Sequence, residues 1–303
     1  MSTITKCSVV SGTVTGIAFT GGMIGWNGRG HVTRSFSDLL IDLAPTEANY
    51  APEGKMGYGG LIGCNLSQGQ VEFCYSFSTV SGFGAVGGLI GYQSQGTVKN
   101  SYARGNVSGL GPRVGGLVGG NIFMAITERC YSTGMVTALP GQPAGGLLGS
   151  LENLSECTVS FWDVETSGMN TSAGNEQGKV TQAMTFPYDN PQTTYLGWNF
   201  STNWQSDQLG EINDRYPYLR WQDPIAPPPP PAAPIVSIGS NGGILQLSWP
   251  AIPNAGFYNI YAADSPMADD WGVPIGSTIS TSYPILTDQA YKFYRVKAAN
   301  ITP

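Results

Sequence analysis

Histidine is nearly absent from this sequence, whose 303 residues include only His31. A Ser–His–acid or Cys–His nucleophile would depend on that single ring, which lies in a Gly-rich turn, so a surface or corner histidine is the default interpretation. Long apolar runs are also missing, since none approaches the roughly 18 to 20 residues that cross a bilayer. No charged-then-apolar signal segment follows Met1. We expect no direct membrane insertion, and export would rely on residues outside this sequence.

Basic residues are few and scattered. Lysine and arginine number 14 against 20 acidic residues, which gives a formal net charge of −6 and a pI near 4.7. Nucleic-acid binding needs clustered positive side chains that displace counterions, so we expect no nucleic-acid partner. The five cysteines are an odd number, which excludes a complete disulfide framework within one chain.

Glycine and tyrosine, by contrast, are abundant. The chain has 42 Gly and 15 Tyr, and 41% of its residues are hydrophobic while 11% are charged. This composition supports packed cores built from many short strands and tight turns. The length is comfortable for two domains. We therefore predict an all-β protein.

A Gly-Gly-apolar-apolar-Gly unit recurs five times, at spacings of 38, 28, 28 and 30 residues. Each unit is followed by a second one, of which Val-Lys-Asn-Ser-Tyr-Ala at 98–103 and Gly-Asn-Val-Ser-Gly at 105–109 form the clearest copy. The repeated glycines are Gly21, Gly22, Gly25, Gly59, Gly60, Gly63, Gly87, Gly88, Gly91, Gly115, Gly116, Gly119, Gly145, Gly146 and Gly149.

The alternation of apolar residues, interrupted by glycine, predicts two or three short strands per repeat. One unit cannot bury its own apolar face, but stacked units form a continuous core. We predict a β-solenoid, a parallel β-helix of about six repeats of roughly 28 residues, whose glycines allow positive φ or close backbone approach at the corners. The longer first interval predicts a loop between Ser37 and Tyr58.

One position of the repeat carries small side chains and is assigned to Cys7, Ser35, Cys74, Ser101, Cys130 and Cys157. An inward ladder of small residues is one interpretation. The alternative is a disulfide between adjacent coils, for which Cys130 and Cys157 are the best-placed pair, although parallel side-chain vectors oppose the required torsion. Metal binding is disfavoured because no histidine accompanies these sulfurs.

The two repeat units together resemble the GLUG repeat of large bacterial surface adhesins and of some immunoglobulin-A-cleaving metallopeptidases. The segments Phe-Trp-Asp-Val-Glu-Thr-Ser-Gly at 161–168 and Tyr-Pro-Tyr-Leu-Arg-Trp at 216–221 resemble the end of such arrays, so the resemblance covers residues 1–222. It implies a stalk or display element without the catalytic domain of those peptidases.

Residues 161–222 predict a cap over the last coil, with a short helix near 180–184. Aromatic side chains would cover the strand edges and apolar core exposed there. These cap aromatics are Trp162, Trp198, Phe200, Trp204, Tyr216 and Trp221.

Prolines at 227–231 mark residues 223–234 as an extended, semi-rigid linker. Residues 235–303 then show longer alternating strands, including Leu-Gln-Leu-Ser-Trp-Pro at 245–250 and Tyr-Lys-Phe-Tyr-Arg-Val-Lys-Ala at 291–298. This part resembles a fibronectin type III domain, an immunoglobulin-like β-sandwich. The last strand of that fold is not found before Pro303, so we expect either truncation or a strand from another molecule.

Three weaker patterns could indicate a catalytic, metal or nucleotide site, but each also has a simpler structural explanation. Asp163 and Glu165 would share a strand face, as in a glycosidase pair, or serve a turn. Calcium could bind among Asp207, Glu211 and Asp214, but no spacing matches a recognised loop. The stretch 82–87 matches a dinucleotide fingerprint by coincidence, because the repeat already explains it.

We therefore expect a non-catalytic extracellular or cell-surface segment without cofactors. Its partner would be a surface protein or glycan of a host or neighbouring cell, or further copies of itself. A self-assembling filament subunit that uses strand complementation is the first alternative, and a polysaccharide-active β-helix enzyme is the second.

Overall fold

The chain divides into two compact units, Met1–Gln222 and Asp223–Pro303. The computed structural model describes residues 2–44, 57–189, 192–222, 234–242, 244–252, 257–266, 271–285 and 293–299. Of the loop predicted between Ser37 and Tyr58, residues 45–56 lie outside these residues, whereas the part up to Leu43 belongs to a strand, Phe36–Leu43. The proline run and the end of the chain also lie outside the described residues.

The first unit is a parallel β-solenoid of five full turns and the start of a sixth. Coil one contains β1 (Thr3–Thr5), β2 (Ser8–Gly16), β3 (Thr20–Gly21) and β4 (Ile24–Asn27). Coil two contains β5 (His31–Thr33), β6 (Phe36–Leu43), β7 (Tyr58–Gly59) and β8 (Ile62–Leu66). Coil three contains β9 (Gln70–Glu72), β10 (Tyr75–Ser76), β11 (Thr79–Gly82), β12 (Val86–Gly87) and β13 (Ile90–Ser94).

The later coils repeat this pattern. Coil four contains β14 (Thr97–Lys99), β15 (Tyr102–Ala103), β16 (Val107–Gly109), β17 (Val114–Gly115) and β18 (Val118–Ile122). Coil five contains β19 (Ile126–Glu128), β20 (Tyr131–Ser132), β21 (Val136–Ala138), β22 (Ala144–Gly145) and β23 (Leu148–Leu151). The sixth begins with β24 (Glu156–Thr158) and β25 (Phe161–Trp162).

Equivalent strands pair in parallel register and form four sheets along the stack. Sheet A is β1-β5-β9-β14-β19-β24, sheet C is β22-β17-β12-β7-β3, and sheet D is β23-β18-β13-β8-β4. Sheet B joins β2, β6, β10, β11, β15, β16, β20, β21 and β25. The solenoid prediction is confirmed, but each full coil has four or five strands, where two or three were predicted.

The extra strands arise because each coil turns sharply at non-glycine residues. The corner after sheet A is occupied in successive coils by left-handed residues with φ between 44° and 55°. They are Lys6, Arg34, Phe73, Asn100, Arg129 and Val159. Left-handed backbone at residues other than glycine is uncommon. The residue types therefore did not predict that each coil would turn at a left-handed residue in this same position.

The repeat glycines serve close backbone approach, since none of them has a positive φ. A Cβ on Gly60, Gly88 or Gly116 would strike the carbonyl oxygen of the equivalent glycine in the next coil. The Gly-Gly pairs therefore let consecutive coils touch through their backbones. They also divide the interior into two apolar columns, one lined by Leu61, Leu89 and other side chains and one by Val80, Val107 and their equivalents.

The tail after β25 contains α1 (Val164–Ser167), α2 (Thr181–Met184), the antiparallel pair β26 (Trp204–Gln205) and β27 (Tyr218–Leu219), and a 3₁₀ turn at Arg220–Gln222. α2 matches the predicted short helix. Within the described residues, no helix is long and apolar enough to cross a membrane.

The second unit has two three-stranded antiparallel sheets. One is β28 (Ser237–Asn241), β29 (Ile244–Ser248) and β32 (Ser282–Ile285), and the other is β31 (Gly276–Thr278), β30 (Phe257–Ala263) and β33 (Phe293–Ala299). Both sheets contribute to one buried cluster, which includes Leu247, Ile260 and Val296.

We predict that Gly119→Ala lowers the free energy of unfolding by about 3 kcal/mol, the upper part of the range for overpacking. The added Cβ would lie 2.5 Å from the backbone atoms Gly91 O and Val86 N. The neighbouring Gly120→Ala is the matched control, because its Cβ would meet only the side chains of Tyr92 and Arg113, at 3.2 and 3.3 Å. Chemical denaturation of both variants tests this, and equal losses would contradict it.

Candidate functional site

Aromatic rings form a ladder on the outer side of sheet B. Phe36, Tyr75, Tyr102 and Tyr131 occupy equivalent positions in coils two to five, and Phe161 continues the series. The first four rings are nearly parallel, with centroid separations of 4.6, 5.1 and 4.9 Å. Parallel in-register pairing places identical side chains one rung apart, so a Tyr at a fixed repeat position produces this stack.

The ladder is covered by residues 195–222, which we call the strap. Trp198 Nε1 donates to Val159 O at 2.7 Å, and Trp204 Nε1 donates to Asn100 Oδ1 at 3.4 Å. Farther along the strap, the indole Nε1 of Trp221 donates to the carbonyl oxygen of residue 73 at 2.8 Å. The strap thus runs back from the sixth coil to the third, along the side of the solenoid.

Arg104 fastens the middle of the strap. Its guanidinium donates to Asn213 Oδ1 at 2.8 Å and to Asp214 Oδ2 at 2.9 Å, and it lies 4.7 Å from the ring centre of Tyr216. The half-buried guanidinium also contacts the ring of Phe77. Asp214 is well exposed, so the ion pair itself contributes little, and the stacking and the Asn213 contact are the stronger attachments.

The end of the solenoid is covered by a separate part of the tail, residues 162–184, which we call the plug. The ring of Trp162 lies against Gly146, and Ser172 Oγ accepts hydrogen bonds from Leu147 N and Leu148 N. The predicted cap therefore consists of two parts. The strap aromatics cover the side of the stack, where they pack with the outward Tyr ladder in one cluster; they are Trp198, Phe200, Trp204, Tyr216 and Trp221.

Trp204 is fully buried between the strap and the ladder. We predict that Trp204→Ala lowers the free energy of unfolding by about 4 kcal/mol, the usual cost of deleting a buried large aromatic. Trp26→Ala is the matched control, since that indole is 56% exposed, and its effect should stay within about 0.5 kcal/mol. Denaturation followed by near-ultraviolet circular dichroism tests the pair, and a Trp204→Ala loss no larger than that of the control would refute the burial.

A second ladder, of side-chain amides, lies inside sheet D. Asn27 donates to Asn65 at 2.8 Å, Asn65 to Gln93 at 2.9 Å, and Gln93 to Asn121 at 2.8 Å. All four amides are buried and also bond to backbone carbonyls. This ladder was not predicted from the sequence, although three of its members, Asn65, Gln93 and Asn121, are spaced 28 residues apart.

We predict that Gln93→Leu lowers the free energy of unfolding by about 2 kcal/mol, because it removes the donor to Asn121 Oδ1 and the acceptor of Asn65 Nδ2 and leaves buried polar groups with fewer partners. Gln93→Asn keeps an amide of the type present at positions 65 and 121 and should cost less. Equal losses in the two variants by denaturation would show that the amide chemistry contributes nothing.

The disulfide that was considered as an alternative between Cys130 and Cys157 is not formed. Cys157 pairs in register with Thr127, whereas Cys130 N donates to Ser160 Oγ at 3.1 Å, so Ser160 occupies the position assigned to Cys157. The irregular length of the last repeat caused the misalignment. None of the five cysteines, all of which the structure describes, forms a disulfide. Burial raises the pKa of Cys74 and Cys130 to about 12, and it also raises those of Cys64 and Cys157.

Thiol labelling at neutral pH should therefore modify Cys7 alone in the folded protein, because the raised pKa values keep the other four thiols protonated and burial shields all of them except the partly buried Cys157. After denaturation without a reductant, all five should react. Mass spectrometry of the labelled protein counts them. If only three thiols react after denaturation, two cysteines are joined in a disulfide, which would contradict the structure.

The acidic candidates do not form a catalytic or metal site. Asp163 is fully buried, caps α1 through the amides of Glu165 and Thr166, and accepts from Tyr216 Oη at 2.6 Å. Glu165 is exposed and accepts from Thr181 N. Asp163 therefore has no free face for substrate, and the pair predicted for a glycosidase is not assembled.

Asp207 is likewise occupied by backbone. Its carboxylate accepts from the amides of Gly210, Ile212, Asn213 and Arg215 and so closes the turn at 207–215. These amides occupy the carboxylate oxygens that would bind calcium. Asp207 therefore does not support the calcium site considered with Glu211 and Asp214. Among the described residues, no group of three His, Cys, Asp or Glu side chains could hold a metal ion.

Sheet A presents its outer face to solvent. Its inward positions hold apolar side chains such as Val32, Val71 and Val98, and its outward positions are mainly polar. Lys99 and Glu128 pair across this face at 2.9 Å. His31 lies here between Thr3 and Gln70, and in the described part of the chain it belongs to no group of three His, Cys, Asp or Glu side chains that could hold a metal ion. The face is thus a candidate binding surface. Its residues are Thr3, Thr5, His31, Thr33, Gln70, Glu72, Thr97, Lys99, Ile126, Glu128, Glu156 and Thr158.

Comparison with known proteins identifies a GLUG motif at residues 84–108. The chain is similar to a "Putative Gly-rich membrane protein" of Evansella cellulosilytica, with 34% identity over 131 residues that cover 41% of this chain and 14% of that protein. It is also similar to halomucin of Haloquadratum walsbyi, with 33% identity over 236 residues that cover 76% of this chain and 2% of halomucin. The chain thus spans a small part of either relative.

A solved structure shares the fold. It is described as a "putative immunoglobulin A1 protease" from Bacteroides ovatus and superimposes with a TM-score of 0.51 at 16% identity, covering 71% of this chain and 67% of the other. At this identity the likeness concerns the fold alone.

Proposed function

We propose that this chain is a non-catalytic, cell-surface segment in which the solenoid presents its polar faces for adhesion. The observation that carries the proposal is the outer face of sheet A, which continues across six coils with polar, solvent-accessible side chains. A regular, repeating surface of this kind suits repeated weak contacts with an extended partner, such as a surface glycan or protein of another cell.

The names of the relatives support a surface location. One is called a membrane protein and the other halomucin, and both are much longer than this chain. We infer that this segment is likewise part of a surface-associated protein. The structural neighbour is described as a protease, but it shares only the fold with this chain, at 16% identity. In this chain the candidate acids Asp163 and Glu165 have structural roles.

We further propose that the second unit is a fibronectin type III-like sandwich that serves as a spacer. Two antiparallel sheets around a shared core support this assignment, and Trp249 follows β29 and packs into that core. The proposed spacer would hold the solenoid away from its point of attachment.

Head-to-tail stacking of solenoids into a filament is disfavoured by the plug. The last coil is covered by Trp162 and Ser172, so the first coil of another copy could not add to it without displacing the plug. The enzyme alternative lacks an assembled acid pair. Adhesion remains the function that these features favour.

The experiment is a binding screen of the purified chain against arrays of glycans and cell-surface proteins. The expected result is binding that is lost in Thr97→Arg on the face of sheet A and retained in Thr137→Arg on the outer side of sheet B. Cell labelling is the second readout: antibodies to the chain should stain intact cells of the source organism. Staining only after permeabilisation, or equal binding by both variants, would overturn the proposal.

A further inference from the structure

The strap and the plug are joined to the solenoid in different ways. The plug shares backbone hydrogen bonds with the last coil, from Gly146 N to Thr171 O at 3.0 Å and from Ala173 N to Leu148 O at 3.1 Å. Between strap and coils, the described residues show no backbone-to-backbone hydrogen bond, and β26 and β27 pair only with each other. Among the described residues, every hydrogen bond from the strap to the coils therefore involves a side chain. The strap is also bonded to the tail that precedes it, because Phe186 N donates to Arg215 O at 2.8 Å and Tyr216 Oη donates to Asp163 Oδ2 at 2.6 Å.

The order of these attachments follows the chain in reverse. The end of the strap lies over the third and fourth coils, where Trp221 contacts Tyr75 and Gln222 donates to Tyr102 Oη at 2.8 Å. The start of the strap lies at the sixth coil, where Trp198 packs on Phe161. A pull on the chain beyond Gln222 would consequently load the Trp221 attachment first and Trp198 last.

We propose that the strap is a force-released cover, which peels from the aromatic ladder under tension while the coils and the plug stay folded. Attachments that are loaded one after another yield at lower force than attachments that share a load. The coils share an applied load, because continuous backbone hydrogen-bond ladders in four sheets and two apolar columns connect them. Sub-global opening of the least connected element is the general expectation for folded proteins.

Peeling would uncover a surface that is hidden in the resting protein. Tyr102 is fully buried and shares its hydroxyl with Gln222, and Tyr131 is fully buried and donates to Pro217 O at 2.8 Å. Their stacked rings and released hydroxyls would offer apolar area together with hydrogen-bonding groups. That the protein experiences tension depends on the proposed surface function, whereas the peeling of the strap under an applied force does not.

Single-molecule stretching of the whole chain tests the proposal. One handle is attached through Thr137→Cys on coil five, in a Cys7→Ser background, and the other at the end of the second unit. The expected result is a reversible step of up to roughly 100 Å, given at most about 3.6 Å per strap residue, at a lower force than solenoid unfolding. Unfolding of the second unit, Asp223–Pro303, would give a longer step of up to roughly 290 Å by the same measure.

Two variants assign the step. Trp221→Ala should raise the rate of the short step at constant force at least tenfold, whereas Trp26→Ala, which removes an exposed indole distant from the strap, should leave it unchanged. Absence of the short step, or equal rates in Trp221→Ala and the unmodified strap, would overturn the proposal. Binding and surface labelling would then still stand, so a failure here is distinct from a failure of the proposed function.

Discussion

The close approach of backbones at the Gly-Gly pairs is the constraint on which the first unit depends. A Cβ on Gly60 or Gly88 would strike the next coil, so these positions fix how near consecutive coils lie. Once that distance and the register are set, identical positions repeat along the stack. The Tyr ladder, the amide ladder and the alternation of Cys and Ser follow from this one geometric condition.

The tail adds an asymmetry that the repeats by themselves lack. Its plug completes the last coil through backbone hydrogen bonds, and its strap covers the outward rings through side chains. The aromatic residues of the strap therefore have a structural partner within the chain, whereas the polar outer face of sheet A is the surface that we propose for another molecule. This division separates the part of the solenoid that stabilises the unit from the part proposed to bind.

The coil architecture was predictable from the sequence because the glycine spacing directly reflects stacking. The number of strands per coil was not, since the left-handed corners use residues as different as Lys6, Phe73 and Val159. The position of Cys157 in the last repeat was predicted incorrectly, because a longer turn precedes this residue. The position of the strap could not be inferred either, since aromatic content indicates a need for cover without showing which surface is covered.

The register of coil stacking is tested most directly by cross-linking paired cysteines on sheet A in a Cys7→Ser background. Gln70 and Thr97 are in register, which places their backbones about 4.8 Å apart, whereas Glu72 and Thr97 are offset by two residues. A short bifunctional thiol reagent should link Gln70→Cys to Thr97→Cys efficiently and should link Glu72→Cys to Thr97→Cys poorly. The reverse preference would contradict the register, and with it the ladders and the continuous face that follow from it.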